Sequence, residues 1–228
     1  MMKKHTLFTL TGLLLALSLS VTVLAGILWV LGTSETIMLP MMRHFAPSEE
    51  TGLPEKEYPE MVHMITRYLA GNVDDFQHYY FIFDVMYPAF QPHEQEHMAD
   101  CQALFRLDRK VLIAAGLLSL WLVLGMLFWW KERRIWRWCA IGLGAMIALV
   151  AVIAVAAMVD FGRLFVLFHR LSFSNDLWLL DPRTDLLIRL MPTNFFTTYA
   201  AILGVSWLTL MALMLAGAAI LYKRGAKA

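Results

Sequence analysis

Charge is scarce in this chain. Lysine, arginine, aspartate and glutamate make up 16% of the 228 residues against 59% hydrophobic, and the mean hydropathy is +0.60. The scarcity is uneven, because residues 7–31, 111–130, 135–159 and 195–221 hold one charged side chain between them, Arg137. Each run is long enough to cross a bilayer. Backbone polar groups in hydrocarbon must be satisfied within their own segment, so the expected fold is an all-α polytopic membrane protein with four transmembrane helices. What remains, 32–106 and 160–194, is too short for a separate large domain. It is expected to form a small extracytoplasmic cap on a single membrane domain spanning 1–228.

Cysteine is nearly absent. Cys101 precedes the second apolar run and Cys139 lies near the start of the third, on the opposite side of the membrane, which excludes a disulfide between them. Cys101 has His97 one helical turn away, but no clear activating arrangement for a thiolate nucleophile. No serine sits in a nucleophile elbow, so the sequence does not demand an acyl-enzyme.

The first apolar run follows MMKKH and exceeds the length of a cleaved signal, so it reads as an uncleaved anchor. Lys3 and Lys4, the group Lys131, Arg133, Arg134 and Arg137, and the group Lys223, Arg224 and Lys227 all fall on one side of four spans. The positive-inside rule makes that side cytoplasmic, with both termini inside and the cap outside. The first cap segment, 32–106, has a formal charge of −8 from twelve acidic and four basic residues. Such a surface offers nothing to nucleic acid.

Within that segment, 46–57 is acidic and carries Pro47, Gly52 and Pro54, and reads as an exposed loop. Residues 58–70 place Met61, Ile65, Tyr68 and Leu69 at helical spacing before Gly71 and Asn72, an amphipathic helix with its stop. Residues 75–90 concentrate aromatics, and Pro88 argues against a regular element there. These aromatics fit an interfacial belt, a small core, or the wall of a lipid-binding pocket.

Residues 91–106, QPHEQEHMADCQALFR, put ionisable groups just outside the second span. Pro92 suits a first helical turn, and His93, His97, Asp100 and Leu104 then share one helix face. Two chemical readings follow. His93, Glu94 and His97 satisfy H-E-x-x-H, in which two imidazoles hold zinc and the glutamate activates water. Alternatively, His97 pairs without metal with His169, one imidazole moving a proton and the other orienting a group or stabilising an oxyanion. Helix capping, or bridging to the acidic cap, is the non-catalytic explanation of both histidines.

The second cap segment supplies His169 from DFGRLFVLFHR, which reads as a continuation of the third span with Phe161, Phe165 and Phe168 on one face. Phe173, Asn175, Asp176 and Trp178 follow. Asp181, Pro182 and Thr184 read as a turn, and Asp185 as the start of a short interfacial helix before Pro192. Arg163, Arg170, Arg183 and Arg189 fit contacts to lipid headgroups or simple interface anchoring. In the third span, GLGA from Gly142 suits close helix packing.

The order of these motifs resembles the bacterial lipoprotein intramolecular transacylase (Lit) family. The resemblance rests on Glu94-x-x-His97-x-x-Asp100 before the second span and on Phe168-His169-x-x-x-Phe173-x-x-Asp176-x-Trp178. Asp185, Leu187, Ile188, Pro192, Phe195 and Phe196 follow in order. It implies transfer of the sn-2 acyl chain of a diacylglyceryl-cysteine lipoprotein to the α-amino group of the same cysteine, without cofactor or metal. It also implies His97 and His169 as the catalytic pair, with His169 as base toward the amine. His97 is left with orientation, oxyanion stabilisation or proton return.

Tyr87, Phe90, Phe105, Phe173 and Trp178 are then candidate walls, and Glu94, Asp100, Arg163, Asn175 and Asp176 polar supports. The family does not ordinarily use a histidine at position 93, which makes the H-E-x-x-H match incidental. The expected partners are the lipoprotein substrate and membrane lipids, with the protein acting as a monomer. A zinc metallopeptidase and a non-enzymatic lipoprotein-binding protein are the alternatives from other classes.

The basic clusters generate a topology test. Membrane-impermeant thiol labelling of intact cells should reach cysteines introduced near Glu55 and Thr184 and miss one near Arg134; the reverse pattern would place the cap in the cytoplasm.

Overall fold

The computed structural model describes residues 2–130 and 132–224. Four helices are long and apolar enough to cross a membrane: His5–Thr33, Pro92–Trp130, Arg133–Val159 and Thr193–Arg224. They lie within α1 (Met2–Thr33), α5 (Pro92–Leu124) with its π-helical end (Gly125–Trp130), α6 (Arg133–Val159) and α9 (Thr193–Arg224). The second of these is 39 residues long. At about 1.5 Å per residue it extends to nearly twice the thickness of a hydrocarbon core. Its polar first half, 92–110, is therefore read as lying outside the apolar run that crosses.

The chain divides into two units, one drawn from 2–27, 109–159 and 202–224, the other from 28–108 and 160–201. In the first, Leu15, Leu122, Ile135, Leu143, Trp207 and Met211 form a buried core. Small residues bring helices close. A methyl group added to Gly142 would stand 2.6 Å from Ala16 Cβ, and one added to Gly12 would meet the Ile135 carbonyl at 2.5 Å. Polar groups here are satisfied between helices: Ser119 Oγ donates to Ser18 Oγ at 2.9 Å and Trp207 Nε1 to the Ser20 carbonyl at 3.0 Å. Leu117, Val152 and Leu213 point outward, as expected of surfaces facing lipid.

The second unit contains α2 (Glu35–Phe45), α3 (Ser48–Thr51), a 3₁₀ turn (Glu55–Glu57) and α4 (Tyr58–Leu69). It continues with strands β1 (Tyr79–Ile82) and β2 (Val85–Pro88), α7 (Phe161–Ser172) and α8 (Leu186–Leu190). Its core joins Met42, Tyr58, Met61, Ile65, Phe76, Phe90, Leu190 and Phe195. The amphipathic helix expected at 58–70 is α4, and Gly71 takes the left-handed conformation after it (φ 74°).

Three local expectations are corrected. Residues 46–57 do not form an exposed loop: they fold into α3 and the 3₁₀ turn, with Ala46, Thr51 and Leu53 buried and Tyr58 Oη hydrogen-bonded to Thr51 Oγ1 at 2.8 Å and donating to the Ala46 carbonyl. Pro88 does not prevent regular structure, because it occupies the open end of the two-stranded hairpin opposite Tyr79, where a missing N–H costs least. Phe83 and Asp84 turn the hairpin with positive φ. Finally, α6 does not run on to His169. Asp160 leaves the helical region and accepts the Arg163 N–H at 3.0 Å, capping α7 as a separate helix.

The close approach at Gly142 is testable. Gly142→Leu is expected to cost about 1–3 kcal/mol through overpacking. A clear drop in melting temperature of detergent-purified protein would show it, with Gly144→Ala, where an added methyl meets nothing within 4 Å, unchanged.

Candidate functional site

The site is built within the second unit from the start of α5, α7, the segment 173–185, α8 and the first turn of α9. Glu94, fully buried, is its fixed point. Its Oε2 accepts the Gln91 N–H at 2.7 Å, the reach-back half of a capping box, and its Oε1 accepts the Leu187 N–H at 2.7 Å. Burial raises its pKa, and the two backbone bonds oppose that rise without cancelling it.

One turn further along α5 stands His97, buried, with Nδ1 making no hydrogen bond among the described residues. Its Nε2 lies 3.7 Å from Cys101 Sγ. Burial, and secondarily the neighbouring His169, push the His97 pKa down to about 4. Burial also pushes the Cys101 thiol up to about 12, so the sulfur stays protonated and is no thiolate nucleophile.

His169 comes from α7. Its Nδ1 is 2.7 Å from the Phe165 carbonyl four residues back. A carbonyl only accepts, so Nδ1 carries the proton and Nε2 keeps a free lone pair in the neutral ring. Burial lowers the His169 pKa as well.

The two imidazole centroids are 6.1 Å apart, and Phe173 lies 5.1 Å from His97 and 5.6 Å from His169. Phe165, Phe168 and Trp178 flank His169 at 4.2, 5.3 and 5.0 Å, and Phe196 from α9 backs Phe165 at 5.2 Å. The enclosure is therefore aromatic on most sides, which explains why both rings are held neutral.

The segment after α7 is pinned to α5. Asn175 Nδ2 donates to Asp100 Oδ2 at 2.8 Å, and the Asn175 carbonyl accepts Trp178 Nε1–H at 3.0 Å. Asp100, Leu104, Phe173 and Asn175 also border a small cleft of about 150 Å³. A second tie is His93 Nε2 to Asp185 Oδ2 at 3.0 Å. Asp185 is buried and also accepts from the Asp181 N–H and Thr184 Oγ1. Desolvation would raise its pKa, but the bonds from His93, Asp181 and Thr184 outweigh it and the net shift is downward.

Of the residues singled out in the sequence, the structure gathers Phe173, Trp178, Asp100 and Asn175 around the two histidines. Glu94 holds the backbone beneath them. Phe90 lies instead in the core against Phe76, Phe105 packs near Trp29, and Tyr87 faces Tyr80 on the exposed hairpin. Arg163 is exposed and pairs with Asp160, and Asp176 is exposed. Phe168 and Phe196 were not read as walls, nor Phe165, although its i−4 spacing from His169 was a usable signal.

The H-E-x-x-H spacing is present but its groups are engaged elsewhere, His93 with Asp185 and Glu94 with two amides. Among the described residues no cluster of three or more His, Cys, Asp or Glu side chains is arranged to hold a metal ion.

A family model described as lipoprotein intramolecular transacylase Lit matches residues 7–196. Among solved structures, the chain is similar to the membrane integral lipoprotein intramolecular transacylase Lit from Bacillus cereus, with a TM-score of 0.82 at 18% identity over 98% of this chain and 100% of that one. A histidine-to-alanine variant of the same Bacillus cereus protein gives 0.75 at 17% identity, covering 99% of this chain and 98% of that one. No match was found among curated proteins. At this identity the structural likeness speaks to the fold.

Removing the Glu94 carboxylate strands two backbone N–H groups. Glu94→Ala is expected to lower unfolding stability by about 2–4 kcal/mol, read by denaturant titration; an unchanged midpoint would reject the structural role.

Proposed function

Since the chain belongs to the lipoprotein intramolecular transacylase Lit family, we propose that it moves the sn-2 acyl chain of a diacylglyceryl-cysteine lipoprotein to the α-amino group of that cysteine, leaving the lyso form. The observation that carries this reading is a pair of neutral imidazoles in one aromatic enclosure, His169 with a free Nε2 and His97 with an unpartnered Nδ1.

His169 Nε2 takes a proton from the substrate ammonium, whose reference pKa of about 7.7–8.0 lets a neutral histidine suffice. The freed nitrogen attacks the sn-2 ester carbon. The protonated Cys101 thiol donates toward His97 Nε2, which leaves the His97 proton on Nδ1. From there it stabilises the developing oxyanion. The new C–N bond forms and the ester C–O bond breaks; of the two protons the nitrogen loses, one passes to the glyceryl oxygen and the other is released to solvent. Atoms balance without water, a second lipid or a metal.

The aromatic walls Phe165, Phe168, Phe173 and Trp178 hold the acyl and glyceryl arms together, reducing the entropic cost of a medium-sized cyclic transition state. Asp100 and Asn175 fix the wall that carries Trp178. Both histidines come from one chain, so one copy suffices for the site, and the charge pattern of the loops supports a cap facing outside the cell.

One assay tests the chemistry. A diacylated lipoprotein labelled in its sn-2 chain should give a product of unchanged total mass with the label in the N-terminal amide of the same polypeptide, even with excess unlabelled lipid. Activity should survive chelator washing. Incorporation from added lipid, or dependence on restored zinc, would reject the mechanism. His97→Gln or His169→Gln should each lose about 10²–10⁴-fold in rate.

The pH dependence has a definite sign. Both histidine pKa values are lowered by burial, His97 to about 4. The working neutral forms therefore persist as pH falls, and the acidic limb of kcat/KM should lie below pH 6.5, the ordinary histidine value. Protonating these buried rings also favours unfolding, so stability should decline in the same acidic range. A limb at or above 6.5 would contradict the buried, neutral pair.

A further inference from the structure

At the end of the first unit where α1 and α6 begin and α9 finishes, a cavity of about 480 Å³ opens among His5, Arg133, Arg134, Arg137, Trp138 and Tyr222. It lies outside the histidine site and the transfer reaction gives it no role. Three guanidinium groups line it. The neighbouring carboxylate Glu132 engages Arg134, its Oε1 accepting the Arg134 N–H at 3.3 Å and lying 3.9 Å from Arg134 Nε. Arg134 Nη1 is 3.1–3.2 Å from both ring nitrogens of His5. Arg133 stands over the Tyr222 ring at 5.9 Å.

The placement of these cations runs against the helix they start. A helix N-terminus carries partial positive charge and favours acidic residues. Here the first turn of α6 holds no acidic residue and begins Arg133-Arg134. Three arginines line one concavity, an arrangement suited to an anion with several oxygens. Trp138 and Tyr222 supply amphipathic walls of the kind found at membrane interfaces. Exposed apolar side chains, Leu7 on α1, Ile141 on α6 and Leu221 on α9, continue along the same three helices. The ligand must therefore join a phosphate-like head to long apolar tails.

We propose that this cavity is a binding site for the phosphodiester headgroup of an anionic phospholipid, its acyl chains lying against α1, α6 and α9. The arginines bind the phosphate oxygens, and the aromatic rings bracket the glycerol at the level of the interface. A zwitterionic lipid brings its own cation into the same concavity and is disfavoured.

The test uses the full-length protein, purified in detergent, stripped of lipid and titrated under native mass spectrometry. Phosphatidylglycerol and phosphatidylcholine with identical acyl chains are compared, with sn-glycerol 3-phosphate as the soluble arm. Wild type should hold one phosphatidylglycerol at least about tenfold more tightly than phosphatidylcholine. The combined variant Arg133→Gln, Arg134→Gln, Arg137→Gln should reduce that ratio to about twofold or less. The equally charge-depleted variant Lys56→Gln, Arg67→Gln, Arg106→Gln, altered in the second unit, should retain it.

If the combined variant fails to fold by circular dichroism, Arg133→Gln and Arg137→Gln singly decide, each expected to weaken the preference about threefold to fivefold. A preference that survives loss of the arginines, or is lost equally in the control, overturns the proposal. Equally tight binding of sn-glycerol 3-phosphate overturns its assignment to lipid.

Discussion

A carboxylate shut away from water holds the histidine-bearing unit together. Glu94 joins backbone amides from residues 91 and 187, which are far apart in sequence. Burying such a group is tolerable only when its oxygens are satisfied, so the chain on both sides must be in place at once. The first turn of α5 and the start of α8 thus become one structural corner. From that corner His97 follows by a single helical turn, while Leu186, Leu187 and Leu190 carry α8 into the core. The His93–Asp185 and Asn175–Asp100 contacts close the same segment at two further points. A sequence reading that gives Glu94 to a zinc-bound water misplaces the residue on which the corner depends.

Family membership and the aromatic surroundings then say different things about the two histidines. Membership says what reaction this scaffold serves. The surroundings describe the imidazoles themselves: buried, with their pKa values lowered, and unequal in their hydrogen-bonding partners. Cys101 belongs to the same buried environment, where a thiol held protonated is no nucleophile and shares a hydrogen bond with its neighbour.

Much of this was legible before any coordinates. The four spans are carried by long apolar runs, a signal that tertiary context does not override in hydrocarbon, and α4 followed from its apolar spacing and terminal glycine. His97 and His169 were legible as residues, but nothing in local spacing relates positions 97 and 169, so their pairing stood as one of two chemical readings and as an implication of the family resemblance. The misreadings have physical causes. Residues 46–57 look solvated because their acidic side chains hide Ala46, Thr51 and Leu53 at the buried positions. Pro88 is harmless only because it ends a strand. Phe90 and Phe105 were named as walls for their aromatic character next to the histidine segment, which does not say which neighbours they meet, and those neighbours proved to be Phe76 and Trp29. The break at Asp160 depends on one side chain capturing a backbone amide in an otherwise helical run.

The bond from His169 Nδ1 to the Phe165 carbonyl has a wider meaning. Hydrolases that rely on a histidine base usually assign a third side chain, an acid, to steer the ring and select its tautomer. Here the steering acceptor belongs to the peptide backbone of the ring's own helix, so five consecutive residues specify both the proposed base and its orientation. An apolar chamber gains from this economy, because a steering carboxylate would bring a full negative charge among closely packed aromatic rings. The helix thus replaces an ionised residue by a dipole already present in its fold, and leaves the chamber compatible with lipid.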